Sequence, residues 1–309
     1  MTLRQLRFLR EVARQSLNIS NAAAALYTSQ PGVSRQIQLL ERELGVDLLQ
    51  RRKNRILGFT EAGRRVLSAA QRMLNDAENI KQIASEARNQ ATGKLMLATS
   101  HLHARYTLLG PVKRFVAQYP DVELHLQQSN PYDVPRLLES GEADVGVSTD
   151  LPRDQPGLAV IPCESIRRSL IVPRGHPLAR ARRVSLRDIA RHPIVGYARR
   201  FRTGQILTNT FSEHGIEAKF VVSASDSDVI KAYVAQGLGV AVVPTVVLEG
   251  TDSRVHAIDV TTLFPRSVTK VGVRRDYYPR AFVAEFIRLL IPGATRATVQ
   301  AALEGASRS

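Results

Sequence analysis

Hydrophobic positions along the chain switch period twice, and each switch marks a change of architecture. Leu6, Leu9 and Ala13 fall at helical spacing, with Phe8 and Val12 beside them, and predict a first helix over residues 3–15. Ile19, Ala22, Ala23 and Leu26 follow the i, i+3, i+4, i+7 rule and predict a second, capped by Asn18 or Ser20. Tyr27, Thr28 and Ser29 make a short polar turn. In a third helix Val33, Ile37, Leu40 and Leu44 line one face. Pro31 is tolerated near its start, because first-turn amides have no intrahelical partner.

Beyond Gly45 an apolar stretch runs into Gln50-Arg51-Arg52-Lys53-Asn54-Arg55 and Gly58, which reads as a β-hairpin with cations at its tip. Thr60 then caps a long helix. Val66, Ala70, Met73, Ala77, Ile80, Ala84 and Ala87 repeat at alternating spacings of 4 and 3 and form a heptad seam. With little nearby chain expected to cover it, that seam predicts pairing with a second copy.

From Lys94 the pattern alternates between short apolar strands and helices. One set holds strands at 95–99, 122–126 and 144–148, and a second holds strands at 169–172, 194–196, 219–222 and 239–244. Such alternation argues for parallel α/β sheets in two lobes with a cleft between them. The segment 268–273 would return the chain to the first lobe, and a helix over 278–290 would close it. The fold class is therefore α/β multidomain. The expected divisions are a DNA-binding head at 1–59, a linker and dimerisation helix at 60–89, and an effector-binding region at 90–309, with lobe I about 90–163 and 268–295 and lobe II about 168–264.

Charge sharpens the reading of the head. The 309 residues carry a formal charge of +15, and the first 65 hold 12 basic against 5 acidic side chains. A polyanion is the natural partner of that end. Two amphipathic helices around a tight turn are the layout of a helix-turn-helix, whose second helix enters the major groove. The face of the third helix opposite its apolar stripe carries Pro31, Arg35, Gln38 and Arg42, with Ser34 at the flank and Gln30 at the tip. Gln and Arg can make bidentate hydrogen bonds to adenine and guanine edges. Thr28, Ser29 and Ser34 are short donors suited to phosphate, and Arg51, Arg52, Lys53 and Arg55 would lie along a phosphate strand. Double-stranded promoter DNA is the expected partner.

The single cysteine, Cys163, allows no internal disulfide and suits a reducing cytosol. The amino-terminal stretch lacks a signal-peptide pattern, and no run of about 18 apolar residues predicts a membrane span. The expected location is the cytoplasm. No metal-ligand spacing, nucleotide fingerprint or nucleophile elbow is present, so no cofactor or catalytic residue is assigned.

Ligands of α/β sheets bind at the carboxyl ends of strands and at helix amino termini. That rule selects Thr99, Ser100, His101, Leu102 and His103, then Gln127 and Ser129, then Thr149, and from the second lobe Phe201, Arg202 and Thr203. Hydroxyls, free amides and an arginine suit a small anion.

Several of these pieces together resemble a known family. The residues are Ala22–Leu26, Thr28-Ser29-Gln30-Pro31-Gly32-Val33-Ser34-Arg35-Gln36-Ile37, Leu40-Glu41, Leu44-Gly45 and Thr60-Glu61-Ala62-Gly63. They are similar to the LysR-type transcriptional regulators. Within that family, Leu26-Tyr27, Ala104-Arg105-Tyr106, Glu142-Ala143-Asp144, Arg168-Ser169 and Asp228–Tyr233 resemble the CysB-type regulators of sulfur assimilation. The resemblance implies a winged helix-turn-helix, a dimerising linker helix, a two-lobed periplasmic-binding-protein-like effector domain, and a homotetramer assembled as a dimer of dimers. It implies sulfate, acetylserine or a related sulfur metabolite as effector, held by Ser100, Thr149 and the 201–203 loop. RNA polymerase is admitted as a further partner. The pattern departs at two places. CysB-type chains have Thr-Thr-His-Thr-Gln where this one has Thr99-Ser100-His101-Leu102-His103, and Phe-Thr-Gly-Arg where it has Phe201-Arg202-Thr203-Gly204. Leu102 removes a hydroxyl donor and Arg202 adds a charge, so control of sulfonate or sulfate-ester use is a second reading.

Three alternatives stand beside the DNA-binding regulator of sulfur genes: a LysR-type regulator of another pathway, a cytosolic solute receptor without specific DNA binding, and an enzyme using Cys163.

Overall fold

The computed structural model describes residues 1–53, 55–86, 92–152, 155, 157–248, 254–275 and 280–305. The chain divides into two compact units, residues 1–93 with 136–143, and residues 94–135 with 144–309.

The first unit opens with α1 (Leu3–Arg14), α2 (Ile19–Ala25) and α3 (Gln30–Leu44). Each starts at a side-chain cap. Thr2 and Gln5 form a reciprocal capping box, Asn18 accepts from the amide of Asn21, and Ser29 accepts from the amide of Gly32. Phe8, Val12, Ala22, Ala23, Val33 and Ile37 pack into one core, so the predicted apolar stripes are the buried ones. Leu44 departs from that expectation. It is exposed because α3 ends at Gly45, whose left-handed backbone (φ 69°) turns the chain away there.

Strands β1 (Leu49–Arg52) and β2 (Arg55–Phe59) pair antiparallel, which is the expected hairpin. Glu41, only 6% exposed, fixes it to α3. Its Oε1 accepts from the amides of Leu48 and Leu49 at 2.8 and 3.1 Å, and both oxygens take the Arg51 guanidinium at 3.0 and 2.9 Å. Helix α4 (Glu61–Glu86) starts as predicted, with the Thr60 hydroxyl accepting from the amide of Gly63 at 2.8 Å. Gly63 is required for packing, since a Cβ there would lie 1.9 Å from the Leu48 carbonyl oxygen.

The heptad expectation needs correcting. Ala70 and Leu74, with Val66 and Leu67, pack into a core with Leu6, Leu9, Leu40 and Leu48, so the start of the seam is covered by the chain's own α1. Met73 and Ile80 remain exposed, at 43% and 68%. The expected helix end at 87–89 lies outside the described residues.

In the second unit, β3 (Gly93–Thr99), β4 (Val122–Gln128), β5 (Val145–Ser148), β6 (Leu158–Ile166) and β12 (Ser267–Arg274) form one sheet in the order β4-β3-β5-β12-β6. Between β3 and β4 lie a π-helical turn, His103–Thr107, and α5 (Leu109–Gln118), where one continuous helix was expected. Helix α6 (Val134–Glu139) precedes β5, and α10 (Ala281–Leu290) and α11 (Arg296–Gly305) follow β12. Phe115, Phe282 and Phe286 meet in the core of this lobe. The second lobe holds β7 (Arg168–Pro173), α7 (Leu186–Ala190), β8 (Ile194–Tyr197), α8 (Arg202–Glu213), β9 (Phe220–Ala224), α9 (Ser227–Ala235), β10 (Ala241–Pro244) and β11 (Val255–Asp259).

Two lobes are therefore present, but their sheets are mixed rather than parallel. Pairs β3/β5 and β8/β9 are parallel, whereas β12 is antiparallel to both β5 and β6, and β7 to both β10 and β11. The antiparallel pairs come from the segments that cross between lobes. Pro162 hides β6 from a sequence reading, because proline breaks a ladder. It is accommodated here by a register shift opposite Thr269 and Lys270. The crossing itself falls at Arg167, where the sequence places it.

Arg168 ties the two crossings together. It is 3% exposed, and its guanidinium donates to the Pro265 carbonyl at 2.9 Å and to Ser267 Oγ at 2.7 Å. Its amide donates to Thr261 Oγ1 at 2.9 Å. In the first lobe Arg280 plays a similar part, meeting Asp144 at 2.7 Å, while Asp144 also accepts from the amide of Met96 at 2.8 Å.

Removing one partner of a buried ion pair leaves the other uncompensated. Glu41→Ala is expected to destabilise the amino-terminal unit by roughly 3–5 kcal/mol. Urea titration of the wild-type and variant full chains, read by far-UV circular dichroism, measures this, and an unchanged first transition would contradict it.

Candidate functional site

The DNA-reading face is built on α3. Its stripe of Val33, Ile37 and Leu40 is fully buried, at 0% exposure each. A helix held by that stripe must present its other side to solvent, and Gln30, Pro31, Arg35 and Gln38 are all exposed, with Ser34 half-buried. Ser29 spends its hydroxyl on the amide of Gly32 at 3.2 Å, so it serves as the helix cap. Thr28, half-buried in the turn, has its Oγ1 only 3.1 Å from where a Gly32 Cβ would stand. Small residues here keep the turn tight.

At the wing Arg52 and Lys53 are exposed at the hairpin tip, and Lys53 adopts a left-handed backbone (φ 54°) that turns the strand. Arg51 does not share their role. Both of its terminal nitrogens are committed to Glu41, which makes it the bolt of the wing rather than a free phosphate ligand. The Arg55 side chain lies outside the described residues.

The second site lies between the lobes of the second unit. Ser100 and Thr149, half-buried, stand at the ends of β3 and β5. Across from them, α8 begins at Arg202 with Phe201 at its cap, and Phe201 offers no side-chain hydrogen bond, so the first amides of the helix stay available. The Arg200 guanidinium lies over the Phe201 ring at 5.0 Å. Arg202 is exposed and Thr203 half-buried. Gly204 permits this start, since a Cβ would fall 2.4 Å from the Ala198 carbonyl oxygen.

Two side chains beyond the sequence list face the same region. The Tyr132 hydroxyl donates to the Arg200 carbonyl, joining the lobes. Burial pushes the Asp150 carboxyl up, while Arg202 and Lys270 act against that rise. Ser129 Oγ and Asp150 Oδ1 are buried without a partner among the described residues. Gln127 is exposed.

Three of the expected effector residues have other work. Thr99 is fully buried and donates to the Val147 carbonyl at 2.8 Å, which closes the β3/β5 edge instead of facing a ligand. Leu102 packs with Tyr106 against the core of the second lobe. His101 meets Asp228 at 3.2 Å. Asp228 also takes Arg105 and Lys231 at 3.0 Å each and the Tyr106 hydroxyl, so it gathers the turn after β3 onto α9. Burial raises its carboxyl, but the bonds from Tyr106, Lys231 and His101 outweigh that and hold it down at about 2. His101, Asp226 and Asp228 bring candidate ligand atoms within 4.8 Å of one another. Arg105 and Lys231 already neutralise this cluster, and Asp226 is engaged as the cap of α9, so its electrostatics oppose a metal ion.

A cavity of about 550 Å³ adjoins this junction. Leu102, His103, Tyr106 and Thr107 form one wall, residues 164–167 and Thr269 another, and Pro244 to Val246 with Leu248 a third. His103 is 1% exposed, and burial lowers its imidazole to about 4, so it is neutral at physiological pH. The sequence reading missed the last two walls. The signal available was that the chain crosses between lobes near 163–168, and residues flanking a crossing must line the space between the lobes.

Cys163 donates its thiol to the Leu290 carbonyl at 2.7 Å, and burial pushes it up to about 11. Such a thiol is a packing group and a poor nucleophile.

A DNA-reading head joined to a two-lobed ligand module defines a class of effector-responsive DNA-binding regulators. Residues 3–64 match the bacterial regulatory helix-turn-helix protein, lysR family, and residues 88–294 match the LysR substrate binding domain. The chain belongs to the LysR family of transcriptional regulators, and it is not an enzyme. It is 38% identical to the HTH-type transcriptional regulator SsuR of Burkholderia cenocepacia, over 99% of this chain and 100% of that one. It is 36% identical to the HTH-type transcriptional regulator CysB of Haemophilus influenzae, over 98% and 94%. Among solved structures, the cofactor-binding domain of the Cbl transcriptional regulator covers 71% of this chain and 95% of its own at 32% identity and a TM-score of 0.66. Full-length CbnR complexed with its target DNA covers 94% and 99% at 24% identity and a TM-score of 0.67, a likeness of fold.

Arg35→Ala is expected to cost about 1–3 kcal/mol of operator binding and to relax preference at one base position. Lys53→Ala should weaken all duplexes alike and lower the salt slope by about 1. Fluorescence anisotropy on operator and scrambled duplex separates the two; equal losses on both duplexes for Arg35→Ala would remove it from base reading. A depressed carboxylate stabilises above its unfolded pKa and loses that contribution as pH falls through its folded value. The melting-temperature gap between wild type and Asp228→Asn should therefore hold from pH 7 to pH 5 and shrink from about pH 4 towards 2. A gap that stays constant to pH 2 would show that the Asp228 contacts carry no such contribution.

Proposed function

We propose that this regulator acts in the cytoplasm on genes of sulfur metabolism and is switched by a small effector held between its lobes. Sulfate, acetylserine or a related sulfur metabolite is the ligand. The observation that carries this reading is the pairing of Ser100 and Thr149 at strand ends with the uncapped, arginine-bearing start of α8. Hydroxyls, free helix amides and a guanidinium are donors only or prefer to donate, and such a set selects an oxyanion. The names and extent of the SsuR, CysB and Cbl relatives support the sulfur pathway.

The working assembly is a homotetramer built as a dimer of dimers on promoter DNA, with RNA polymerase as a further partner. Exposed Met73 and Ile80, seven residues apart on one side of α4, supply an apolar stripe for the first pairing. Effector binding moves the equilibrium only as far as its affinities for the two lobe arrangements differ.

Calorimetry of the full chain against sulfate, thiosulfate, acetylserine and adenylyl sulfate tests the proposal. At least one should bind, and Ser100→Ala or Thr149→Ala should weaken it by roughly three- to tenfold, the worth of one hydrogen bond to a charged group. Absence of binding by all four ligands would refute the sulfur reading.

A further inference from the structure

The cavity beside the lobe junction says more about its ligand than the anion-binding donors do. Its volume of about 550 Å³ lies in the range of sites that enclose whole metabolites, far above what a tetrahedral ion fills. Its walls are mostly carbon. Leu102 and Tyr106 from one lobe face Val246 and Leu248 from the other, with Ile166 at the crossing. All four of the facing residues are partly buried against the second lobe's core, so their placement is set by packing rather than by surface chance. Polar groups are confined to part of the lining. Arg167 has one terminal nitrogen on Asp259 at 2.5 Å, and a guanidinium carries five N–H donors, so most remain for a ligand. Thr245 and Thr269 add hydroxyls.

An inorganic anion would leave the apolar wall wet and unused. A wholly apolar ligand would leave the Arg167 side unsatisfied. We propose that the effector is an organic sulfonate or sulfate ester, its alkyl or aryl body on Leu102, Tyr106, Ile166, Val246 and Leu248 and its charged oxygens on Arg167, Thr245 and Thr269. This rests on the reading of the cleft as the effector site, and it narrows the class of ligand within that reading.

Calorimetry of the full chain with sulfate and with methane-, propane- and hexanesulfonate decides it. Affinity should rise with chain length by roughly fourfold per methylene until the cavity is filled, from the usual gain on burying a CH₂ group. Val246→Thr keeps the shape of the wall, and Leu102→Thr shortens it; each makes the wall polar and should flatten the rise. Arg167→Gln should weaken every sulfonate by about tenfold while leaving the chain-length increment unchanged. Sulfate binding as tightly as the alkanesulfonates would overturn the organic ligand and leave the sulfur reading standing. A chain-length rise that persists unaltered in both threonine variants would place the alkyl group elsewhere and overturn the assigned wall. If neither sulfate nor any sulfonate binds, both this inference and the anion reading of the cleft fall.

Discussion

The reading head stands on one buried carboxylate. Taking Glu41 out of water costs several kcal/mol unless its lone pairs are filled, and four donors fill them: the amides of Leu48 and Leu49 and both terminal nitrogens of Arg51. The amides belong to the start of the wing, and Glu41 belongs to the helix whose far side carries Arg35 and Gln38. The wing's angle to that helix is therefore set by hydrogen-bond geometry and not by apolar packing, which tolerates sliding. Close packing at Gly63, where no Cβ fits against the Leu48 carbonyl, then fixes the start of α4 to the same strand. Base contacts demand placement to a fraction of an ångström, and a buried ion pair with no slack is a means to that end.

Much of this head was legible from spacing alone, because the signals are local. The stripe Val33, Ile37, Leu40 and the Thr60 cap each involve residues within one or two turns of each other. Arg51 was misread for the complementary reason. In a run of cations each looks like its neighbours, and nothing in the run shows that Glu41, ten residues back, is buried and waiting. Leu44 and the seam of α4 failed similarly: periodicity says which residues share a face, and says nothing about whether that face is covered by α1, by a second copy, or by water.

In the second unit the alternation of strands and helices was legible, and so was the point where the chain passes from lobe to lobe. The antiparallel pairings were not. Strand order is a property of long-range closure, and β6 with its Pro162 reads as a break. The candidate effector residues divide along the same line. Ser100, Thr149, Arg202 and Thr203 follow from strand-end and helix-end geometry and sit where that rule puts them. Thr99 belongs to the same strand end, yet its hydroxyl is taken by the Val147 carbonyl, since the last strand residue still faces its neighbour. The cavity walls at 164–167 and 244–248 could not be read from any local pattern, because they adjoin only through the crossing.

The contacts between the lobes bear on how a ligand can act. Leu102 and Tyr106 pack on the second lobe's core, Asp228 gathers His101, Arg105, Tyr106 and Lys231, and Arg168 binds the two crossings to each other. These interactions form without an effector. A cleft already drawn together by its own side chains has less free energy to gain from closing further, so an effector working here has little hinge motion to drive. Its leverage lies instead in which of these contacts it displaces. The turn after β3 and the π-helical turn behind it supply the Asp228 ligands and one wall of the cavity, so a molecule pressing on Leu102 and Tyr106 presses on the same residues that hold the lobes. Competition between ligand and latch for one short segment is enough to make the two states differ in affinity, which is the condition any switch of this kind must meet.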